Sequence, residues 1–186
     1  MTKAELRKIY LEKRKQLSEN TINELSKKIA HLFFLQFNPT ENQNIHCFIP
    51  IKKFKEVNTL PLIESCFSKK INVFIPKVIN TEMIAIELKE NTPLSENKWG
   101  ILEPSENTHA NVTHFDYIIT PLLYCDSKGN RVGYGKGFYD QLFTTIPTTT
   151  KKIGVSFFSP LENIDDLRNE DISLDYLITP SEILSF

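Results

Sequence analysis

The chain of 186 residues carries 22 Lys and Arg against 23 Asp and Glu, so its formal net charge is −1. A near-neutral chain lacks the general positive charge on which nucleic-acid binding depends, so no nucleic-acid partner is expected. Hydrophobic residues make up 40% and charged residues 24%, which is ordinary for a single globular domain spanning residues 1–186.

Targeting signals and cysteine usage restrict the class further. The opening segment MTKAELRKIYLEKRKQL has no apolar core for a signal peptide, and Glu5 and Glu12 argue against a transit peptide. No apolar run approaches the roughly 18 residues of a membrane span. We therefore expect a cytoplasmic protein with no membrane partner. The odd number of cysteines and the absence of CxxC spacing predict reduced, mostly buried thiols at Cys47, Cys66 and Cys125.

The first third of the chain has helical periodicity. Apolar residues at helical spacing predict helices at about residues 2–17 and 21–36. The segment SENT, residues 18–21, breaks the pattern and can cap the second helix. The segment NPTENQN, residues 38–44, is a predicted polar loop.

Beyond residue 44, predicted strands alternate with predicted helices. The strands are IHCFI (45–49), INVFIPKV (71–78), MIAIEL (83–88), FDYIITPLLYC (115–125), KIGVSFF (152–158) and LDYLIT (174–179). The helices are NTLPLIESCFSK (58–69), with Pro61 in its first turn, and FYDQLFTTI (138–146). A long polar stretch around Trp99 has no clear pattern. This alternation favours an α/β fold with a mostly parallel sheet flanked by helices on both faces.

The segment GNRVGYGKGFYD, Gly129–Asp140, holds four of the six glycines in the chain. Glycine permits positive φ and close backbone approach, so a loop between a strand and a helix can direct several N–H groups at an anion. Arg131 and Lys136 would add positive charge for a phosphate. The segment matches neither G-x-x-x-x-G-K-[ST] nor G-x-G-x-x-G. The alternative is a tight turn that joins a strand to a helix.

Two further charged features accompany this loop. Asp140 falls in the first turn of a predicted helix, where it either complements the helix dipole or holds Mg²⁺ beside a polyphosphate. On the first helix a stripe about 60° wide contains Lys3, Arg7, Tyr10 and Arg14. Spacing alone favours a solvated basic face. The stripe gains a function only if an anion-binding element faces it.

The glycine segment closely resembles the signature of the 5-formyltetrahydrofolate cyclo-ligase family, also called 5,10-methenyltetrahydrofolate synthetases, which reads G-x-R-[LV]-G-x-G-x-G-[YF]-Y-D. Further segments are similar to family motifs in the right order and cover nearly the whole chain: KAELR (3–7), KEV (55–57), KWGILEP (98–104) and NEDISLDYLITP (169–180). The resemblance implies a three-layer α/β sandwich of the type shared with ribose-5-phosphate isomerase and CoA transferases.

The resemblance also implies an activity. The family converts 5-formyltetrahydrofolate to 5,10-methenyltetrahydrofolate with ATP and Mg²⁺ and releases ADP and phosphate. The expected route transfers the γ-phosphoryl group to the formyl oxygen and gives an iminium phosphate that N10 of the folate then attacks. Both substrates are small molecules, and because no heptad seam calls for a dimer, a monomer is expected.

Site residues are carried over from the matching motifs. The resemblance places ATP against Lys3, Arg7 and the loop residues Arg131, Val132, Gly133, Tyr134, Gly135, Lys136, Gly137, Phe138 and Tyr139. Lys136 and Arg131 are the implied catalytic cations. The implied metal ligands are Asp140 and Asp171. The implied folate contacts are Ile51, Glu56, Trp99, Tyr134 and Phe138, with Glu56 placed to hydrogen-bond the pterin.

Some positions depart from the family pattern or have simpler interpretations. Phe138 replaces the usual first tyrosine, and Tyr134 stands where some members have arginine. Glu56 could instead be a surface carboxylate, Asp171 a solvated turn residue with Asp165, Asp166 and Asp175 as competitors, and Trp99 a core residue. Two competing functions stay open: a sugar-phosphate isomerase or other ATP-using transferase, and a folate or nucleotide binder without turnover.

Overall fold

The computed structural model of the chain describes residues 1–97, 101–105, 110, 112 and 114–186. Its helices are α1 Lys3–Lys15, α2 Glu19–Phe37, α3 Leu60–Ser68 and α4 Phe138–Thr145, with a 3-10 turn at Lys52–Phe54. Its strands are β1 Asn44–Cys47, β2 Asn72–Ile79, β3 Glu82–Leu88, β4 Leu94–Glu96, β5 Leu102–Pro104, β6 Tyr117–Pro121, β7 Tyr124–Cys125, β8 Arg131–Val132, β9 Lys151–Val155, β10 Tyr176–Ile178 and β11 Ile183–Ser185.

Local capping explains where the first two helices begin. The Thr2 side chain accepts from the Glu5 N–H while the Glu5 carboxylate accepts from the Thr2 N–H, which forms a capping box. The Ser18 hydroxyl accepts from the Thr21 N–H at the start of α2, as the segment SENT predicts. Pro61 lies in the first turn of α3, where its missing N–H costs no hydrogen bond.

A seven-stranded sheet in the order β11-β10-β9-β6-β1-β2-β3 forms the middle layer. The five inner strands are parallel to one another. Only the edge strands β3 and β11 pair antiparallel. The predicted mostly parallel sheet is therefore confirmed.

The two faces of the sheet carry separate apolar clusters, because successive strand residues point to opposite sides. Along β6, Ile119 packs in the cluster that contains Phe33 of α2 and Cys66 of α3. Its neighbour Ile118 packs in the cluster that contains Phe143 of α4. Helices thus cover both faces, which confirms the three-layer α/β architecture.

The chain reverses its direction of travel across the sheet between β1 and β6. From β1 it continues through α3 to β2 on one side, and from β6 it continues through α4 to β9 on the other. Since α3 and α4 lie on opposite faces, the loops that leave β1 and β6 separate at the carboxyl edge and open a crevice between them. Ligands of open α/β sheets bind at such a position.

Three parts of the fold were not predicted from the sequence. The segment 115–125 is not one strand, because β6 ends at Pro121 and the Leu123 N–H then bonds the Val132 carbonyl to begin a β7–β8 hairpin. The polar stretch contains the hairpin β4–β5, whose first strand is exposed and so has no apolar signal. Strand β11 is a three-residue edge strand.

The expectations about the cysteines and about membrane-spanning segments can be compared with the structure. All three cysteines are buried and unpaired, as predicted, and burial raises the pKa of the Cys66 thiol to about 12. Within the described part of the chain, no helix has the length and apolar character needed to cross a membrane.

Gly129 provides a stability test of the hairpin turn. Its φ is +80°, and a Cβ there would lie 2.8 Å from both the Leu174 carbonyl oxygen and the Phe186 ring. We expect Gly129→Ala to lower the free energy of unfolding by about 2–4 kcal/mol, from backbone strain and steric overlap. Urea unfolding followed by circular dichroism measures this change.

The matched control for stability is Gly133→Ala in the same segment, where a Cβ would meet nothing within 4 Å. It should unfold within about 1 kcal/mol of the wild type. Equal stability of the two variants would contradict the assigned conformation of the hairpin turn.

Candidate active site

The candidate site lies at the carboxyl edge of the sheet, in the crevice between the chain segments that leave β1 and β6. The first segment contains the 3-10 turn, with Ile51 at its start and Glu56 just beyond its end. The second contains the β7–β8 hairpin and then the glycine loop, residues 133–137. Helix α1 packs against this hairpin through Leu6 and Tyr10, which join Leu123 and Val132 in a third apolar cluster.

The glycine loop connects β8 directly to α4. Gly135 and Gly137 have φ of +85° and +71°, so both positions require the left-handed conformation that glycine adopts without strain. Gly137 is the N-cap residue of α4, and its carbonyl accepts from the Gln141 N–H. The loop therefore delivers its backbone to a helix N-terminus, the arrangement that binds anions in many proteins.

The stripe on α1 faces the glycine loop. Arg7 Nε donates to the Gly133 carbonyl at 2.9 Å, and Arg14 Nη1 donates to the Tyr134 hydroxyl at 3.2 Å. The Arg14 side chain is only 2% exposed. The solvated basic face that the spacing favoured is therefore wrong, because the hairpin and the glycine loop cover this side of α1.

Lys3 is held by acidic residues of the C-terminal segment. Its ammonium group forms a salt bridge with Asp171, and its backbone N–H donates to Asp166 at 2.6 Å. Burial favours a higher pKa for Asp171, but the hydrogen bonds from Lys3 and the Arg168 N–H and the nearby positive charges outweigh it. The pKa of Asp171 consequently lies below its usual value, and the carboxylate is ionised at neutral pH.

Arg131 connects the start of the glycine segment to Asp140 and to the residue that follows Asp171. Its Nη2 donates to Asp140 Oδ1 at 2.6 Å, and its Nη1 donates to the Ile172 carbonyl. The Ile172 N–H also bonds Asp140 Oδ1, at 3.2 Å. The side chain of Arg131 is 7% exposed and lies over the Phe143 ring. Both terminal nitrogens are thus bound to protein acceptors, and Arg131 fixes Asp140 in place.

Asp140 and Asp171 suit a magnesium ion. Among the described residues, the hydrogen bonds to Asp140 all end on Oδ1 and those to Asp171 all end on Oδ2, so each carboxylate keeps its second oxygen. Mg²⁺ needs only one or two carboxylates when phosphates and water complete its shell. The described residues contain no cluster of three His, Cys, Asp or Glu, which such a site does not require.

The competing acidic residues have other partners. Asp165 pairs with the amino group of Met1, and Asp175 pairs with Lys152. Asp166 caps the Lys3 N–H. Asp171 is the one that precedes Ile172, the residue bonded to both Arg131 and Asp140. Asp171 is therefore the acidic residue of this segment whose sequence neighbour bonds Asp140, and its role as a metal ligand stays a prediction.

Glu56 is buried, with 4% of its surface exposed, so the alternative of a surface carboxylate is wrong. Its Oε2 accepts from the Ile51 N–H at 2.7 Å. Burial raises the pKa of Glu56, whereas the Ile51 N–H, the Tyr134 hydroxyl and the charge of Arg14 oppose that rise. Lys55 points away and donates to the Lys15 and Leu17 carbonyls. Ile51 and Glu56 thus lie together, and their predicted contact with the folate stays a prediction.

Aromatic side chains link the two halves of the crevice. Phe54 of the 3-10 turn stacks on Tyr134 of the glycine loop, with ring centroids 5.0 Å apart and planes at 30°. Phe138 is half-buried at the start of α4. The Tyr139 hydroxyl is buried and has no hydrogen-bond partner among the described residues. Sequence patterns contain no signal for Phe54.

The remaining predicted residues differ in accessibility. Lys136 is exposed in the glycine loop, and within the described residues it forms no ion pair. Val132 is fully buried in the apolar cluster beneath α1, so only its backbone is available to a ligand. Trp99 lies outside the described residues, as do Lys98 and Gly100, and the predicted role of Trp99 stays a prediction.

Fold and site together define an α/β protein in which a glycine loop and a buried carboxylate border one crevice at the carboxyl edge of a parallel sheet. The model of the 5-formyltetrahydrofolate cyclo-ligase family matches residues 1–180. The chain therefore belongs to this family and is an enzyme of the ligase class, as the glycine signature predicted.

Individual relatives agree with this assignment. The chain is 31% identical over 159 residues to the probable 5-formyltetrahydrofolate cyclo-ligase of Schizosaccharomyces pombe, covering 76% of this chain and 77% of the relative. It resembles the solved 5,10-methenyltetrahydrofolate synthetase of Aquifex aeolicus with a TM-score of 0.79 and 31% identity, over 100% of this chain and 93% of that one. The Mycoplasma pneumoniae synthetase gives a TM-score of 0.77 and 27% identity, over 97% and 99% of the two chains.

The Arg131–Asp140 contact generates a stability prediction. Asp140→Asn would leave a mostly buried guanidinium without its charged partner, so we expect a loss of about 1–3 kcal/mol of unfolding free energy. Thermal unfolding in the absence of metal measures this change.

Glu12→Gln is the control, since the Glu12–Lys15 pair is exposed and should contribute less than about 0.5 kcal/mol. An Asp140→Asn protein as stable as this control would mean that the Arg131–Asp140 pair does not stabilise the fold.

Proposed function

We propose that the protein converts 5-formyltetrahydrofolate to 5,10-methenyltetrahydrofolate with ATP and Mg²⁺ and releases ADP and phosphate. The observation that supports this most is the crevice itself, where Tyr134 of the glycine loop stacks on Phe54, two residues before the buried Glu56. One crevice can then hold a polyphosphate beside a pterin. The protein would act on these small molecules as a cytoplasmic monomer.

The ATP phosphates would lie against the glycine loop. The N–H groups of Gly133, Gly135 and Gly137 and the N-terminus of α4 favour an anion there. Lys136 is the exposed cation of the loop and would neutralise the transferring phosphoryl group. Lys3 and Arg7 of α1 would border the nucleotide from the other side.

Asp140 and Asp171 would hold the magnesium ion through the carboxylate oxygens that accept no hydrogen bond from the described residues. When bound, Mg²⁺ neutralises charge on the β- and γ-phosphate oxygens. Arg131 fixes Asp140 through a buried ion pair, so its contribution to catalysis in this proposal includes positioning that carboxylate.

The folate would occupy the half of the crevice formed by the segment after β1. Glu56 would accept hydrogen bonds from the N–H groups of the pterin, and the Ile51 N–H orients its carboxylate. Trp99, Tyr134 and Phe138 would supply apolar and aromatic surface against the ring system. Because Glu56 is buried, a pterin N–H would satisfy a carboxylate that water reaches poorly.

The chemistry needs positioning more than a protein nucleophile. The formyl oxygen of 5-formyltetrahydrofolate takes the γ-phosphoryl group as the bond from phosphorus to the β,γ-bridging oxygen breaks. N10 then attacks the activated formyl carbon and loses its proton, and the carbon–oxygen bond breaks to release phosphate. Each step moves charge onto phosphate oxygens, which the loop N–H groups and Lys136 stabilise.

The test mixes the purified protein with 5-formyltetrahydrofolate and MgATP and follows the long-wavelength absorbance of the methenyl product. Separate reactions omit ATP and Mg²⁺. Product that requires both supports the proposal. Bound folate without product would favour a binding protein, and the absence of both product and binding would reject a folate function.

Lys136→Ala tests the role of the loop cation. We expect kcat/KM for ATP to fall by about 10²–10³-fold, because one charge-stabilising group is lost from the transition state. The unfolding free energy should change by less than about 0.5 kcal/mol, since Lys136 is exposed.

Lys128→Ala is the matched control, because Lys128 is an exposed lysine in the nearby turn between β7 and β8. It should retain full activity. If both lysine variants lose activity equally, the loss reflects general charge and the specific role of Lys136 is rejected.

A further inference from the structure

Arg14 is a charged residue whose side chain is almost completely buried. It lies in the last turn of α1 and, at 2% exposure, ranks among the largest fully buried side chains. Burying a guanidinium is costly unless hydrogen bonds and a counter-charge compensate for lost water. The surroundings of Arg14 must therefore supply both.

The hydrogen-bond partners of Arg14 come from two different segments. Nη2 donates to the carbonyl of Leu122, directly after β6, and Nη1 donates to the Tyr134 hydroxyl at 3.2 Å. Neither partner is charged. The buried Nε has no partner among the described residues. The two bonds tie α1 to both ends of the hairpin that presents the glycine loop.

The negative charge near Arg14 is Glu56, whose segment meets the Tyr134 ring through the stack of Phe54 on it. Burial raises the pKa of the Glu56 carboxyl group, and the Tyr134 hydroxyl and the charge of Arg14 act against that rise. A guanidinium can only donate, so the hydroxyl oxygen accepts from Arg14 and its proton is free to be donated elsewhere. Arg14 thereby fixes the direction of the hydrogen bond between the two side chains.

We propose that Arg14 is a positioning residue for the folate, which orients the Tyr134 hydroxyl beside the folate-side segment that contains Glu56. This inference rests on the proposed function, because it assigns a purpose to Glu56 in folate binding. Arg14 itself touches neither substrate. It holds Tyr134, the loop residue that stacks on Phe54 of the folate-side segment.

The charged and titratable groups that face Glu56 come from three elements. Arg14 approaches from α1, Tyr134 from the glycine loop and Tyr139 from α4, while the Ile51 N–H belongs to its own segment. Of these, only Arg14 is a cation. Removing its charge raises the pKa of Glu56, so the carboxyl becomes protonated, and poorer as an acceptor, at a higher pH.

The test compares Arg14→Met with Arg14→Lys and Tyr134→Phe across pH 5 to 8. Binding of 5-formyltetrahydrofolate is measured without ATP, and steady-state kinetics are measured with it. In Arg14→Met we expect the acidic limb of the pH profile, the range in which folate affinity falls on acidification, to move up by at least about one pH unit. Below that limb the folate affinity should be about tenfold lower than in the wild type. KM for folate should rise more than kcat falls. Tyr134→Phe should move the limb in the same direction, and Arg14→Lys should restore part of it.

A second readout does not depend on turnover. The Glu56 carboxyl is titrated by carbon NMR in protein labelled at glutamate, with Glu56→Gln used to assign its signal. Lys8→Met is the control, because it removes an exposed positive charge from the same helix. The inference predicts an upward shift of the Glu56 titration in Arg14→Met and no shift in Lys8→Met.

Several outcomes would overturn the inference. If Arg14→Met lowers the melting temperature and the activity equally at every pH and leaves the Glu56 titration unmoved, Arg14 only holds the fold together. If Arg14→Met does not fold, an unshifted limb in Tyr134→Phe overturns the inference equally. Failure of the proposed function is visible separately, since the wild-type protein would then neither bind nor convert the folate.

Discussion

The reversal of the chain between β1 and β6 is the constraint on which the site depends. Because α3 and α4 lie on opposite faces of the sheet, the segments that leave these two strands diverge at the carboxyl edge. They leave a crevice whose walls are the 3-10 turn on one side and the glycine loop on the other. A parallel sheet creates such a position without any particular side chain.

Two buried arginines then hold the segments that border the crevice in place. Arg131 binds Asp140 and the Ile172 carbonyl, and Arg14 binds Tyr134 and the Leu122 carbonyl. Each guanidinium donates in two directions, so each joins segments that are distant in sequence. Arginine suits this role because its planar group offers several donors in fixed directions and stays charged when buried. The same bonds that hold the loops also orient the carboxylates that a ligand would meet.

Some elements of this structure follow from local sequence patterns, whereas others depend on tertiary contacts that no local pattern shows. Helix α1 follows from apolar spacing, and the glycine loop follows from its composition. The burial of Arg14 does not, because spacing shows which residues share a face of a helix but not what covers that face. Likewise, residues 115–125 form one apolar run, but the strand does not continue through all of it. Leu122 is apolar because it packs in the cluster beside the sheet, and Leu123 is apolar because it packs under α1. Phe54 meets Tyr134 only through tertiary folding.

The signature segment itself separates into two kinds of residue. Val132 packs in the core, Arg131 is bound to Asp140, and Gly129 fits a turn with no space for a side chain. Lys136, by contrast, is exposed and has no ion-pair partner among the described residues. A sequence motif therefore includes buried scaffold residues and exposed residues that are accessible to a ligand, without distinguishing them. Burial distinguishes the two kinds of residue. A side chain that solvent cannot reach in the free protein does not contact a substrate directly, and it affects binding only by positioning other groups.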